Sequence, residues 1–142
     1  MSQAAPSDRD LILSAGETIN RRRGPYERQF GAVGACLVSA SGNVYKGVSI
    51  DTGSGTGFCA EHSAIAAMVT AGEYRIAMIV TVWRDEEARL YVLPPCGRCR
   101  EFIRQIDAAN LDTEVILGDG RRQRLRELLP EHEWPEPLDL RL

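Results

Sequence analysis

No segment of this 142-residue chain can cross a bilayer as a helix: the longest nearly uncharged stretch, Phe30 to Thr56, is broken by Lys46, Asp51 and a series of glycines. The N-terminus lacks a basic stretch followed by an apolar run. Met1 to Asp10 is polar and does not read as a secretory signal, so a cytoplasmic, reducing setting is expected. Basic charge is also scarce. Lys and Arg number 17 against 20 Asp and Glu, a formal net charge of -3, which argues against a broad electrostatic footprint for a nucleic-acid polymer or a membrane surface. Cysteine is limited to four residues. Folding at this length removes roughly two-thirds of the surface of the unfolded chain, so disulfide staples are not needed. Closely spaced cysteines in a reducing setting point to metal or catalysis first.

What is present is an ordinary soluble composition, 44% hydrophobic and 26% charged, sized for one domain over residues 1–142. Ser7 reads as an N-cap, with Leu11, Ile12, Ala15 and Ile19 at helical spacing until Gly24-Pro25, which places Arg21, Arg22 and Arg23 in the last turn as cations on the helix dipole. Gly31 to Ser39 and Val44 to Ile50 read as a hairpin, and Asp51 to Gly57 as a flexible glycine-rich loop. Cys59 to Ala71 is a helix that is small or apolar nearly all round; Arg75 to Trp83 is an apolar strand covered on both faces; Tyr91 to Leu93 is a short strand. Cys96 to Ala109 is helical, Thr113 to Leu117 a strand and Leu125 to Leu129 a short last helix, while 131–142 reads as a loosely held tail rich in proline and acid. Strands alternating with helices predict an α/β fold, a three-layer α/β/α sandwich on a mixed five-stranded sheet, with the first hairpin antiparallel and the later strands parallel.

The chemistry concentrates at two predicted helix starts, Cys59-Ala60-Glu61 and Pro95-Cys96-Gly97-Arg98-Cys99. Helix N-termini offer unpaired N–H groups and a positive dipole end, which favour thiolate over thiol. The two-residue gap lets one helical turn present Cys96 and Cys99 to one ion, and Cys59 adds a third sulfur; three protein ligands leave a position for water, as catalytic zinc sites do. Cys36, inside an apolar strand, reads as packing. His62 could close the site, but it lies about 100° around the helix from Glu61, which ranks it below an open position. Glu61 can reach a metal-held water without coordinating the metal and can move a proton.

Together these segments resemble the zinc-dependent nucleoside and nucleobase deaminases, whose signature is Cys or His, any residue, Glu, then Pro-Cys-x-x-Cys. The chain is most similar to the cytidine deaminase and blasticidin-S deaminase group, from about Leu11 to Trp134, with matches at Phe30 to Ala35, Gly42 to Gly47, both cysteine segments through Arg100, and Arg126 to Pro130. That resemblance implies the cytidine deaminase-like fold, one Zn2+ per chain on Cys59, Cys96 and Cys99, and Glu61 as the proton shuttle while zinc-held hydroxide adds to the amino-bearing ring carbon. It implies ring contacts from the backbone around Ala60 and Cys96, an aromatic near the sugar at Phe30, and at Trp134 an aromatic that closes the pocket, often that of a neighbouring subunit, which as a plain structural residue would anchor the tail.

Two departures stand out. Relatives carry Asn-x-Glu where this chain has Ser49-Ile50-Asp51, so the shorter Ser49 and Asp51 reach less far toward ribose hydroxyls. Relatives also place Arg directly after the Glu, where this chain has His62; since three thiolates and one zinc sum to -1, the expectation is that Arg100 draws charge from the sulfurs, ahead of Arg98. The leading expectation is deamination of a small cytosine-type nucleoside (cytidine, deoxycytidine or one modified as in blasticidin S). The competing ones are another free aminated ring of guanine, pterin or triazine type, a base within RNA or DNA read by the arginines at 121, 122, 124 and 126, or a non-catalytic zinc-binding module. The nearly all-apolar helix after Ala60, with the resemblance, implies a homo-oligomer, a tetramer.

Overall fold

Side chains alternate between two cores along the central strands, and that alternation builds the molecule. In the computed structural model, which describes residues 5–142, α1 (Asp8–Glu17) leads to β1 (Arg22–Arg23), a 3-10 turn at Pro25–Glu27, and the long hairpin β2 (Gln29–Ser39) and β3 (Val44–Asp51). Then come α2 (Ala60–Thr70), β4 (Ile76–Arg84), β5 (Leu90–Val92), α3 (Gly97–Ile106), a 3-10 turn at Ala108–Asp112, β6 (Glu114–Gly118), β7 (Arg121–Arg124) and α4 (Leu125–Leu128). Ala35, Leu37, Ile79 and Val115 face a core with Ala64, Ile65 and Met68 of α2 and Ile103 of α3. Cys36, Val38, Val80, Val82 and Ile116 face the other, against Leu11 and Ala15 of α1. A period of two on strands buried on both faces puts one helical layer on each side. Two α/β interfaces are close because a strand residue has no side chain: a Cβ on Gly34 would lie 2.2 Å from Ala15 O, and one on Gly47 would lie 2.3 Å from Ala64 N.

The sheet is mixed, as expected, with β3, β2, β4, β6 and β7 side by side, β1 pairing β2 and β5 pairing β4. The expected parallel run reduces to one pair, β4 with β6; β4 itself runs antiparallel to β2, in register Leu37 to Ile79. Two strands were absent from the sequence reading. The β6–β7 hairpin turns at Asp119-Gly120, with Gly120 at φ 77°, a dipeptide that suits tight turns, but its second strand is all polar and reads as a charge stripe.

Ser7 is the N-cap of α1, in a reciprocal capping box with Asp10. The helix ends earlier than its apolar spacing predicts, at Glu17. Arg21, Arg22 and Arg23 are therefore not in a last helical turn: the Asn20 N–H donates to Gly31 O, and Arg22 and Arg23 pair with Phe30 and Gln29 as β1. The sheet edge outcompeted the helix for these backbone groups.

Candidate metal centre and active site

Cys59 is the N-cap of α2 and Cys96 the N-cap of α3, both with extended backbone (φ -72°, ψ 160° and φ -68°, ψ 168°). Ser, Thr, Asp or Asn there would typically contribute about 1 kcal/mol; a thiol in their place puts sulfur where the helix N–H groups converge. Cys99 follows one turn into α3. Cys59 Sγ lies 3.6 Å from Cys96 Sγ, which is 3.5 Å from Cys99 Sγ. Sulfurs on a tetrahedral zinc at ~2.3 Å stand about 3.8 Å apart, so spacing and donor chemistry both fit that ion.

His62 is nearer than the sequence reading placed it. Its Nδ1 lies 3.6 Å from Cys99 Sγ, and it forms with Cys59 and Cys99 a group whose ligand atoms all lie within 4.8 Å of one another. Whatever its angle from Glu61, His62 is three residues after Cys59 and shares its face of the helix.

Burial, then the nearby Glu61 charge, pushes the buried Cys99 thiol up, and burial also raises Cys59. Burial works the same way at Cys96, but the Cys99 backbone N–H and the neighbouring thiols outweigh it and bring Cys96 below the ordinary thiol range. A divalent cation inverts such resistance, because a coordinating thiol is deprotonated outright. Glu61 is 3% exposed, and burial lifts its carboxyl above the usual range against the pull of hydrogen bonds from its own backbone, Cys99 and Thr81. Thr81 was missed as a site residue; the signal was one hydroxyl inside the apolar run Ile76 to Val82.

Glu61, Cys59, Cys96, Ala60, Ser49 and Thr81 converge on a cavity of about 170 Å³ walled by Val33, Leu93 and Pro94. It opens through Val33, Ser49 and Cys59 into a wider groove of about 420 Å³, where Asp51, Phe58 and Arg98 stand. Ser49 Oγ accepts the Val33 N–H at 3.1 Å, where β2 shifts register between Phe30 and Gly34, so that oxygen is already engaged. Phe30 is not brought to this cavity. It lines a neighbouring one of about 330 Å³ with Arg21, Arg22 and Arg23. Trp134 is 93% exposed and packs neither into these cavities nor as an anchor for the tail.

The guanidinium of Arg100 is engaged by backbone carbonyls. Its Nε donates to Pro95 O at 2.8 Å and its Nη1 to Leu128 O at 2.9 Å, tying the segment before Cys96 to α4, because these carbonyls lie within its reach and need donors. Arg98 Nη1 donates to Gly57 O at 3.3 Å. Cys36 is fully buried in the α1-side core, as packing requires.

Residues 7–114 match the family described as cytidine and deoxycytidylate deaminase zinc-binding region. A cytidine deaminase of Halalkalibacterium halodurans is 33% identical over 131 residues, covering 87% of this chain and 92% of that one. One of Mycobacterium tuberculosis is 32% identical over 108 residues, 75% of this chain and 74% of its own. Among solved structures, cytidine deaminase from Burkholderia pseudomallei superposes with a TM-score of 0.70 at 27% identity, over 89% of this chain and 98% of that one. The Mycobacterium tuberculosis enzyme gives 0.67 at 30% identity, over 85% and 92%.

Proposed function

The chain belongs to the cytidine and deoxycytidylate deaminase zinc-binding family, and from that premise we propose that it removes the amino group of a free cytosine-type nucleoside by zinc-dependent hydrolysis. The observation that carries this is the single cavity in which a buried carboxyl, Glu61, meets the thiols of Cys59 and Cys96, with Cys99 directly behind. Its volume of about 170 Å³ suits one six-membered ring, since an apolar cavity of roughly 150 Å³ holds benzene. That favours a pyrimidine over the bicyclic guanine or pterin.

Cys59, Cys96 and Cys99 would hold one zinc, which would supply a Lewis acid that makes water nucleophilic at neutral pH. Val33, Leu93 and Pro94 take the ring faces and keep bulk water out. Glu61, with its affinity for protons raised by burial, receives a proton from the attacking water and passes it to the ring nitrogen; it then delivers the second to the departing amino group, which leaves as ammonia. Water's oxygen becomes the new ring carbonyl, so both of its protons are accounted for. Ser49 and Asp51 line the way out of the cavity toward the sugar.

Residues 1–142 form one domain, with 131–142 a loosely held tail. A homo-oligomer, a tetramer, suits a helix α2 that leaves Ala66 and Ala67 exposed and a tail that exposes Trp134, Leu138 and Leu140; monomeric sedimentation would count against it. A reducing, cytoplasmic setting suits four unpaired thiols. No described helix is long and apolar enough to cross a membrane. A polymeric nucleic acid is disfavoured because Arg122, Arg124 and Arg126 pair with Asp8, Glu114 and Asp112. The test is ammonia release by zinc-loaded protein on cytidine, deoxycytidine, cytosine, blasticidin S, guanine, and aminated pterins and triazines. Turnover of cytosine nucleosides is expected, and activity confined to the bicyclic rings would overturn the substrate reading.

A further inference from the structure

The proton relay leaves the His62 side chain unused, yet it touches the thiol cluster. Its Nδ1 stands 3.6 Å from Cys99 Sγ. Its half-buried ring lies flat on Phe102, with centroids 4.2 Å apart and planes 5° apart, and Phe58 tilts against it at 6.3 Å. A ring held in that way has its orientation set by α3 and by the segment before Cys59, not by solvent.

Three thiolates on a divalent cation leave a net charge of -1, which weakens the cation's pull on electrons unless donors draw density from sulfur. Arg100 is committed to two backbone carbonyls and Arg98 donates to a third. We propose that His62 donates its Nδ1–H to the Cys99 sulfur, taking up part of the thiolate charge, with Phe102 as the platform that holds the imidazole in plane. His62 is then a positioning residue that acts through Cys99 and not a fourth ligand, which would close the coordination position that hydrolysis requires. Neutral imidazole carries one N–H, so this role demands the tautomer with Nδ1 protonated and Nε2 bare. The assignment rests on Cys59, Cys96 and Cys99 being the zinc ligands.

The deciding measurement is a long-range 1H–15N NMR spectrum of the zinc-loaded, 15N-labelled full chain. It contains two histidines, and His62→Gln identifies the signals of His62 by their loss. A proton on Nδ1 with bare Nε2 is expected; Nδ1 bound to metal, or the Nε2–H tautomer, overturns the proposal. In cobalt-loaded protein, His62→Leu should move the sulfur-to-cobalt charge-transfer band to lower energy while four-coordinate intensity persists, and His62→Arg, which restores a donor, should move it back. Turnover of His62→Leu should fall by about 10-fold or more with little change in KM, and His62→Arg should recover it. An unshifted band in His62→Leu, or loss of four-coordinate intensity in both variants, counts against the donor role. A wild-type chain that retains no zinc would overturn the ligand reading itself, whereas retained zinc with the wrong tautomer overturns this proposal alone.

Discussion

Helix α2 has a glutamate at each end. Glu61 in its first turn is buried in the wall of the cavity, and burial holds its carboxyl above the usual range. Glu73, three residues past the last turn, sits at the rim and is held by Tyr45, by Asn43 Nδ2 at 2.9 Å and by Ser39 Oγ at 2.8 Å, which draw its pKa down to about 2. Both are the same side chain at the edge of the same helix. One is kept able to pick up and release a proton; the other is a permanent anion that clamps the β2–β3 turn to the end of α2. Desolvation sets the first state and donors to the charged form set the second, so sequence proximity to a helix does not decide what a carboxyl does.

The contrast predicts opposite phenotypes. Glu61→Gln should reduce kcat by roughly 10²–10⁴-fold while the chain keeps one zinc, measured by ammonia release and metal content. Zinc lost together with activity would mean that Glu61 serves the metal and not the proton. Glu73→Gln should do the reverse, lowering the thermal midpoint while leaving kcat of the zinc-loaded enzyme unchanged.

The pH dependence separates the two carboxyls by sign. Glu73 is depressed from 4.5 to about 2, so its contribution to stability is complete above 4.5 and drains away as pH falls from there toward 2. Glu61 is shifted upward, so its contribution is complete below its ordinary value and is lost as pH rises through its raised one. Thermal melts of the wild type between pH 5 and 2 should show a loss that is shallower in Glu73→Gln, and equal slopes would remove the clamp from the account.

Arg100→Gln should act as a structural change, costing about 1–3 kcal/mol in urea unfolding as the Pro95 and Leu128 carbonyls lose a charged donor, with the cobalt charge-transfer band unmoved. A shifted band would return Arg100 to the sulfurs. The smallest effect expected is that of Ser49→Ala, a change in KM of a few-fold, because its oxygen is already engaged by the Val33 N–H.

How much was legible follows from the range over which each feature is decided. Ser7 as a cap, Cys36 as packing, and the placing of Cys59, Cys96 and Cys99 at helix starts depend on neighbours within one turn, and each stood in the sequence pattern. The apolar strands were legible because their alternation is local. The end of α1 was not, since Arg22 and Arg23 are claimed by a strand edge brought from residues 29 and 30. Strand β7 was hidden because its four polar residues carry no hydrophobic period. Phe30 lies away from the cavity, which only the packing of β2 could reveal, and the course of the tail leaves Trp134 exposed on this chain.

By itself the sequence determined the donor set and its chemistry: three thiols and a carboxyl at helix N-termini, in a spacing that one tetrahedral ion can use. Tertiary structure decided which groups surround those donors. It buried Glu61 beside Thr81 of β4, sent Arg100 to two carbonyls and laid His62 between Phe102 and Cys99. Coordination chemistry is a property of side-chain type and local spacing, whereas burial and hydrogen-bond partners depend on atoms that are tens of residues away along the chain and meet only when the sheet and its two helical layers close.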